Sequence, residues 1–428
     1  MDIKKIIEEL KGCPCGREHK AFTERVEIGS GLVNRVGEIL SEENFPKKLL
    51  LVADKTTLAV SDGILESLAA GGFEVKLQIY DEMKYARIEQ VKEIEALSAD
   101  VDGILSVGTG SLNDICRVAS FYAKKDLCIF ATAPSMDGFA SDSAPIITGN
   151  FKESKFVEQP RIIIADTKIL AASPVELKAA GFGDMVAKYI GIFEWRLANL
   201  LIGEYYCENI AKMSLDAVGR MVALADKVTA DDEETAGAIM EALVLSGLAM
   251  KLAGCSRPAS GAEHVISHYW ECYKLARGIW PEFHGKKVGV ASLVLIGIIH
   301  NLVDRLEEIE TTEDKTDWEK VYGAFDESQL ADVKRLNSPT ITDKVDPERL
   351  REIWPEVRRI AREVLPARDE LEALMKAAGC ATTIGEINVS DELFELGLRY
   401  HAYMRQRLLT TRIFPMMGVD IMEYVDRE

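Results

Sequence analysis

The strongest constraint on the fold is a change of pattern near residue 170. Before it, short apolar or β-branched runs recur at Lys48–Ala53, Phe73–Tyr80, Gly103–Val107, Cys128–Thr132 and Arg161–Ala165, each followed by turn residues or a helix-like pattern. Strands alternating with helices specify a parallel, doubly wound sheet. Leu49–Ala53 and Ile162–Ala165 are apolar without interruption, as strands covered on both faces must be. After Pro174 the strand signal fades. Stretches rich in Ala, Leu, Met and Glu take over at 210–230, 233–252 and 369–378, with apolar residues three and four apart, the composition and spacing of helices. The acidic stretch Leu306–Asp317 reads as a solvated helix end or loop. The expected architecture is an α/β, Rossmann-like N-terminal domain over 1–171 followed by an all-helical C-terminal domain over 172–428. A chain of 428 residues is too long for one ordinary core, which agrees with this division.

Composition narrows the partners. With 51 Lys+Arg against 70 Asp+Glu the net charge is −19, which argues against a nucleic-acid or anionic-membrane surface. The opening residues, MDIKKIIEELKG, lack the unbroken apolar core of a signal peptide. The longest apolar stretch, Ala291–Ile299, is about half a membrane span. Eight scattered cysteines do not form a secreted disulfide framework, so a reducing, cytoplasmic setting is expected.

Several segments carry residues suited to chemistry. Gly108-Thr-Gly-Ser-Leu-Asn-Asp114 follows a strand and opens a helix, an arrangement that turns free N–H groups and a helix dipole towards an anion. It departs from the usual dinucleotide fingerprint at Asn113, and a tight turn capped by Ser111 explains it equally well. The run from Ala131 to Ala144, rich in hydroxyls around Asp137, suits the wrapping of a polar ligand or a plain turn-rich loop. Three of the six histidines, His264, His268 and His284, fall within 21 residues. His264 and His268 lie one turn apart on a helix that starts just after Pro258 and Gly261. Two imidazoles on one face and a third nearby can hold a divalent metal, and Asp184, expected at the head of a helix over Met185–Ile192, offers a carboxylate. Asp184 as a helix cap is the alternative. Cys13-Pro-Cys15 with His19 is half a zinc knuckle without a visible second half, so ordinary thiols are expected there. His300, in an apolar run, reads as a core histidine.

In their order along the chain, Gly108–Asp114, Thr132–Ser135, Asp137, Asp184, His264, His268 and His284 resemble the metal-dependent glycerol-1-phosphate dehydrogenases, relatives of the iron-type alcohol dehydrogenases, glycerol dehydrogenases and dehydroquinate synthases. Thr132–Gly138, Gly181–Asp184 and Ser260–His264 are most similar to the bacterial branch. The resemblance implies a dehydroquinate synthase-like architecture and interconversion of dihydroxyacetone phosphate with sn-glycerol 1-phosphate. It implies that Gly108, Gly110, Ser111, Asp114, Thr132, Ser135 and Ser141 contact NAD(H) or NADP(H), and that Asp54 contacts a cofactor ribose. Asp184, His264 and His284 would ligate one divalent metal, zinc first, with nickel or iron(II) as alternatives. Asp137 and His268 would be catalytic and contact substrate, with His268 as a proton relay, and Asp184 would face the substrate as well. A cytoplasmic homodimer of phospholipid synthesis acting on a small phosphorylated triose is the implied setting.

Cations for a phosphate are sought among Arg257, Lys287, Lys286 and Lys188, the first two preferred. An acidic Asp54 on the ribose would favour NAD over NADP. The rival readings are a glycerol dehydrogenase with unphosphorylated substrate and a dehydroquinate synthase-like lyase, whose members carry Glu at the position of Asp184. A regulatory nucleotide-binding protein with a vestigial metal site ranks behind both. Beyond Leu306 no motif is recognised.

Overall fold

The computed structural model describes residues 1–149 and 151–426. Six strands, β1 (Arg25–Gly29), β2 (Lys48–Asp54), β3 (Glu74–Tyr80), β4 (Gly103–Gly108), β5 (Asp126–Ala131) and β8 (Ile162–Asp166), form one sheet in the order β1-β8-β5-β4-β2-β3. Every pairing in it is parallel. The chain adds β3 on one side of β2 and then returns to place β4 on the other. That reversal opens a crevice at the carboxyl ends of β2 and β4, the usual ligand position in such sheets.

Alternation along the strands divides the core by face. Leu49, Leu51, Leu105, Val107 and Phe130 pack in a cluster on one side of the sheet. Leu50, Val52, Ile104, Ile129 and Ile163 belong to the other face, whose apolar cluster continues without a break into the helical half. β2 from Leu49 onwards and all of β8 are buried, which explains the uninterrupted apolar runs Leu49–Ala53 and Ile162–Ala165.

Two expectations are incomplete. β1, Arg-Val-Glu-Ile-Gly, was masked by its two charged residues. β6 (Ser143–Thr148) and β7 (Phe151–Phe156) form a separate antiparallel hairpin. β6 emerges from the hydroxyl-rich run expected to be loop, and Pro145 within it weakens any strand pattern.

From Val175 onwards the named elements are helices and short 3-10 turns. The stretch expected at 210–230 is the helix Glu208–Val222 followed by a 3-10 turn, and those at 233–252 and 369–378 are Glu233–Ala253 and Arg368–Ala377. No regular element falls between Arg305 and Trp318, as the acidic stretch implied. Glu233–Ala253 and His284–Arg305 are long and apolar enough to cross a membrane, but 78% of the most apolar window of each is packed inside the protein. They are core helices.

Asp184 lies in the last turn of the helix Val175–Val186, and a second helix, Lys188–Ile202, follows across Ala187. It was expected to head a helix. Gly181 and Gly183 do not interrupt this one; they thin it. A Cβ at Gly183 would run into the carbonyl oxygen of Gly285, and one at Gly285 into that of Ala180. The helices Val175–Val186 and His284–Arg305 therefore touch backbone to backbone, and this contact sets Asp184 beside His284.

Gly285→Ala is expected to lower stability by at least about 1–3 kcal/mol through overpacking. Gly219, exposed in the Glu208–Val222 helix with nothing near an added Cβ, should instead gain about 0.5–1 kcal/mol as Ala. Urea unfolding of the two variants measures both.

Candidate functional site

A cavity of 1310 Å³ lies between the carboxyl ends of the strands and the helical half. It exceeds the roughly 300–1,000 Å³ typical of a single small ligand. On the sheet side, β4 ends at Gly108 and the helix Gly110–Ala123 begins in the cavity wall, with Thr109 as its N-cap residue. Gly110 and Ser111 thus present the orphan N–H groups of a helix start to the cavity. An added Cβ at Gly110 would meet nothing within 4 Å. Asp114, one turn further, is buried near Arg117; burial outweighs that cation and lifts its carboxyl to about 6.

Asp54 ends β2, adjacent to β4, and lines the cavity. Its Oδ1 accepts from the Thr57 N–H at 2.8 Å and caps the following helix, and its Oδ2 accepts from the Met83 N–H at 3.3 Å. Ser135 and Ser141 line the same space, whereas Gly108 and Thr132 stand behind the wall, with the Thr132 N–H donating to the Gly108 carbonyl. The Ser141 hydroxyl donates to the Ser143 carbonyl at 2.7 Å and accepts from Arg117. Its first role is to hold the turn.

The helical half brings Asp184, His264 and His284 together. One ligand atom from each lies within 4.8 Å of the others. His264 Nε2 is 3.3 Å from Asp184 Oδ1, and the His264 and His284 ring centroids are 5.2 Å apart. His264 sits in the first turn of the helix Ala262–Ala276, whose Ala262 N–H is held by the buried carboxylate of Glu194 at 2.9 Å. His264 Nδ1 faces Glu263 Oε1 at 2.7 Å. A carboxylate can only accept, so Nδ1 carries a proton towards Glu263, while Nε2 faces a second carboxylate, Asp184.

Nε2 therefore needs positive charge between itself and that oxygen, a second proton in the metal-free ring or a cation in its place. Burial disfavours protonation of His264, but its bonds to Asp184 and Glu263 prevail and raise its pKa to about 9. Burial pushes His284 down to about 3, and its Nδ1 is buried without a hydrogen-bond partner among the described residues. Burial would raise Asp184, yet Lys188 and the two histidines hold it well below the usual carboxylate range. One anionic oxygen, one ring nitrogen facing it and one orphaned ring nitrogen fit a divalent cation, which would displace the Nε2 proton of His264.

Asp137 adjoins this trio. Its N–H donates to Asp184 Oδ2 at 2.9 Å, and its own Oδ2 takes Lys188 Nζ at 2.7 Å and the Ser246 hydroxyl at 2.9 Å. Lys188, fully buried beneath both carboxylates, is their counter-charge. His268 lines the cavity with its Nδ1 3.2 Å from an Arg405 guanidinium nitrogen. Burial and that cation keep its pKa well below the usual value. Arginine only donates, so the neutral ring carries its proton on Nε2.

None of the four cations suggested by sequence faces the cavity. Arg257 is buried and spends its fork on Glu204 at 2.7 and 2.6 Å. Lys188 serves Asp137 and Asp184, Lys286 pairs with Glu176 and Glu282, and Lys287 lies by Glu271 at 3.6 Å. The cavity instead receives Arg405 and Arg407, from the region where the sequence showed no motif, together with Lys152 from β7. Lys152 pairs with Glu271 at 2.9 Å. Among the described residues no carboxylate lies within 4.0 Å of Arg405 or Arg407, and Arg407 donates to the Ser260 carbonyl at 2.9 Å and to the Ser256 hydroxyl.

The chain is similar to proteins already known. Residues 27–174 match the model of a family described as iron-containing alcohol dehydrogenase. A glycerol-1-phosphate dehydrogenase [NAD(P)+] of Halalkalibacterium halodurans is 32% identical over 316 residues, 72% of this chain and 78% of that protein. The chain belongs to the glycerol-1-phosphate dehydrogenase family. Another member, from Geobacillus stearothermophilus, is 28% identical over 96% of this chain and 97% of its own length. The fold is shared with a probable glycerol dehydrogenase from Sinorhizobium meliloti, at TM-score 0.62 and 14% identity over 94% of this chain and 97% of that one.

Within this glycerol-1-phosphate dehydrogenase family member, Lys188→Met should cost the metal-free protein about 3–5 kcal/mol, because two buried carboxylates lose their counter-charge. Denaturant unfolding in the presence of a chelator reads that loss; an unchanged midpoint would contradict the role given to Lys188.

Proposed function

We propose that this protein is a metal-dependent, NAD(P)-linked oxidoreductase that interconverts dihydroxyacetone phosphate and sn-glycerol 1-phosphate. The observation that carries the reading is one cavity lined by a glycine-rich helix start, by His264 and His284 with the buried Asp184 against them, and by two guanidinium groups with no carboxylate partner among the described residues. The family, whose members' name carries both cofactor forms, supports NAD(P). Residues 1–171 would serve as the dinucleotide unit, and 172–428 as the metal and substrate unit.

Bound here, the dinucleotide would supply hydride and a divalent cation would polarise the substrate ketone. Asp184, His264 and His284 would hold that cation, zinc first and nickel or iron(II) as alternatives, since such donors accept all three. Glu263 fixes the His264 tautomer. The Gly110 and Ser111 N–H groups hold the pyrophosphate, with Asp114 behind them, and Ser135, Thr132 and Ser141 shape the nicotinamide side. Asp54 accepts from ribose hydroxyls and repels a 2′-phosphate, which favours NAD.

Arg405 and Arg407 bind the substrate phosphate, and Asp137, immobilised by Lys188 and Ser246, accepts from a substrate hydroxyl. His268 donates a hydrogen bond from Nε2 to the oxygen that gains charge. Arg405 closes Nδ1, so a proton cannot pass through the ring; His268 orients and stabilises, and the final proton comes from water reaching the cleft. Eight unpaired cysteines support a reducing, cytoplasmic location.

NADH oxidation with dihydroxyacetone phosphate, repeated with dihydroxyacetone on a sample of measured metal content, tests the reading. Turnover is expected with the phosphorylated ketone. Activity confined to the free ketone would select a glycerol dehydrogenase, and no net NADH consumption a lyase. His264→Ala should lose metal and turnover while still binding NADH. Arg407→Gln should raise KM for the phosphorylated ketone roughly 10- to 100-fold, the loss of one charged hydrogen-bond pair.

A further inference from the structure

Cys13, Cys15, His19 and Cys207 form a second cluster away from the cavity, with one ligand atom of each within 4.8 Å of the others. Cys13 Sγ lies 3.5 Å from Cys207 Sγ, and His19 Nε2 lies 3.3 Å from Cys15 Sγ and 3.9 Å from Cys207 Sγ. A tetrahedral zinc ion, with bonds of about 2.3 Å to sulfur and about 2.0 Å to nitrogen, spaces its ligand atoms about 3.5–3.8 Å apart. A disulfide would need about 2.05 Å between sulfurs.

The surroundings are built for the same purpose. His19 Nδ1 is 2.8 Å from the Leu252 carbonyl, which can only accept, so Nδ1 carries the proton and the Nε2 lone pair faces the sulfurs. The sulfurs receive donors in turn: the Tyr205 hydroxyl to Cys15 at 3.5 Å and the Asn209 amide to Cys13 at 3.4 Å. Arg17 stacks over the Tyr205 ring at 3.5 Å, placing a cation beside them. Gly12 and Gly16, at φ +72° and +78°, bracket Cys13-Pro-Cys15 and curl it so that both thiols face one point.

We propose that Cys13, Cys15, His19 and Cys207 bind a structural zinc ion that pins the N-terminal arm to the helical half. Four protein ligands leave no position open for substrate, which marks the site as structural. Binding replaces three thiol protons, released to solvent, and leaves a site of charge −1. The ion would join the arm to the N-cap of the Glu208–Val222 helix through Cys207 and, through the His19 bond to Leu252, to the end of the Glu233–Ala253 helix. The chain after that helix, Gly254–Ser260, runs along the cavity towards His264. The proposal is independent of the reaction assigned above.

Zinc X-ray absorption with metal counting on the full-length protein tests it. The catalytic trio offers only nitrogen and oxygen, so sulfur scattering at about 2.3 Å reports this cluster alone. Zinc-loaded wild type should hold two equivalents and show that scattering. His264→Ala should keep one equivalent, sulfur-ligated, and Cys207→Ser should lose both the sulfur signal and one equivalent. The wild-type spectrum decides even if Cys207→Ser does not fold. A spectrum of nitrogen and oxygen alone, or a Cys13–Cys207 disulfide found by mass spectrometry of alkylated protein, would overturn the proposal.

Discussion

The backbone contact between the helices Val175–Val186 and His284–Arg305 is the constraint on which the site depends. Ordinary side chains hold helix axes about 8–10 Å apart. Gly183 and Gly285 remove the intervening atoms, so that Asp184 and His284 face one another across the crossing. The third ligand, His264, arrives on a helix whose start is tied to Glu194. Three helices thereby bring one ligand atom each within 4.8 Å of the others. A methyl group at either glycine would separate the ligands before it touched any reacting atom.

Charge balance explains how such a site survives burial. Two buried carboxylates and three buried or half-buried imidazoles would be costly without compensation. Lys188 lies under Asp137 and Asp184, Glu263 accepts from His264, and Arg405 turns His268 into a neutral donor. Arg405 and Arg407 face the cavity without a carboxylate partner among the described residues, inside a protein of net charge −19. That local exception to a strongly acidic body is what recognition of a phosphate requires. In the proposed reading it also favours a phosphorylated triose over glycerol, whose neutral hydroxyls would gain less from two guanidinium groups.

The parts legible in sequence were those with a local signature. Strands β2, β4, β5 and β8 announced themselves as apolar runs because both of their faces are covered. The histidine pair showed as helical spacing. β1 was hidden by Arg25 and Glu27, and the β6–β7 hairpin by Pro145 and its hydroxyl-rich approach. Asp184 was recognised as a candidate, but its helix was misplaced, because Gly181 and Gly183 look like punctuation when they serve a neighbour's backbone. Arg405, Arg407 and Cys207 could not be found at all. Each acquires its meaning from a partner more than 130 residues away: Arg405 from His268, Arg407 from Ser256 and Ser260, and Cys207 from Cys13 and His19. The cations favoured by proximity in sequence, Arg257 and Lys287, are committed to Glu204 and Glu271. Adjacency to a motif says nothing about the direction in which a long side chain points.

Anomalous diffraction from crystals loaded with a divalent metal addresses the site most directly. A peak is predicted at about 2.0–2.2 Å from one oxygen of Asp184 and one ring nitrogen each of His264 and His284. Asp184 without contact to the ion would contradict it, above all if the peak fell between His268, Glu271 and His284, which also bring three ligand atoms within 4.8 Å of one another.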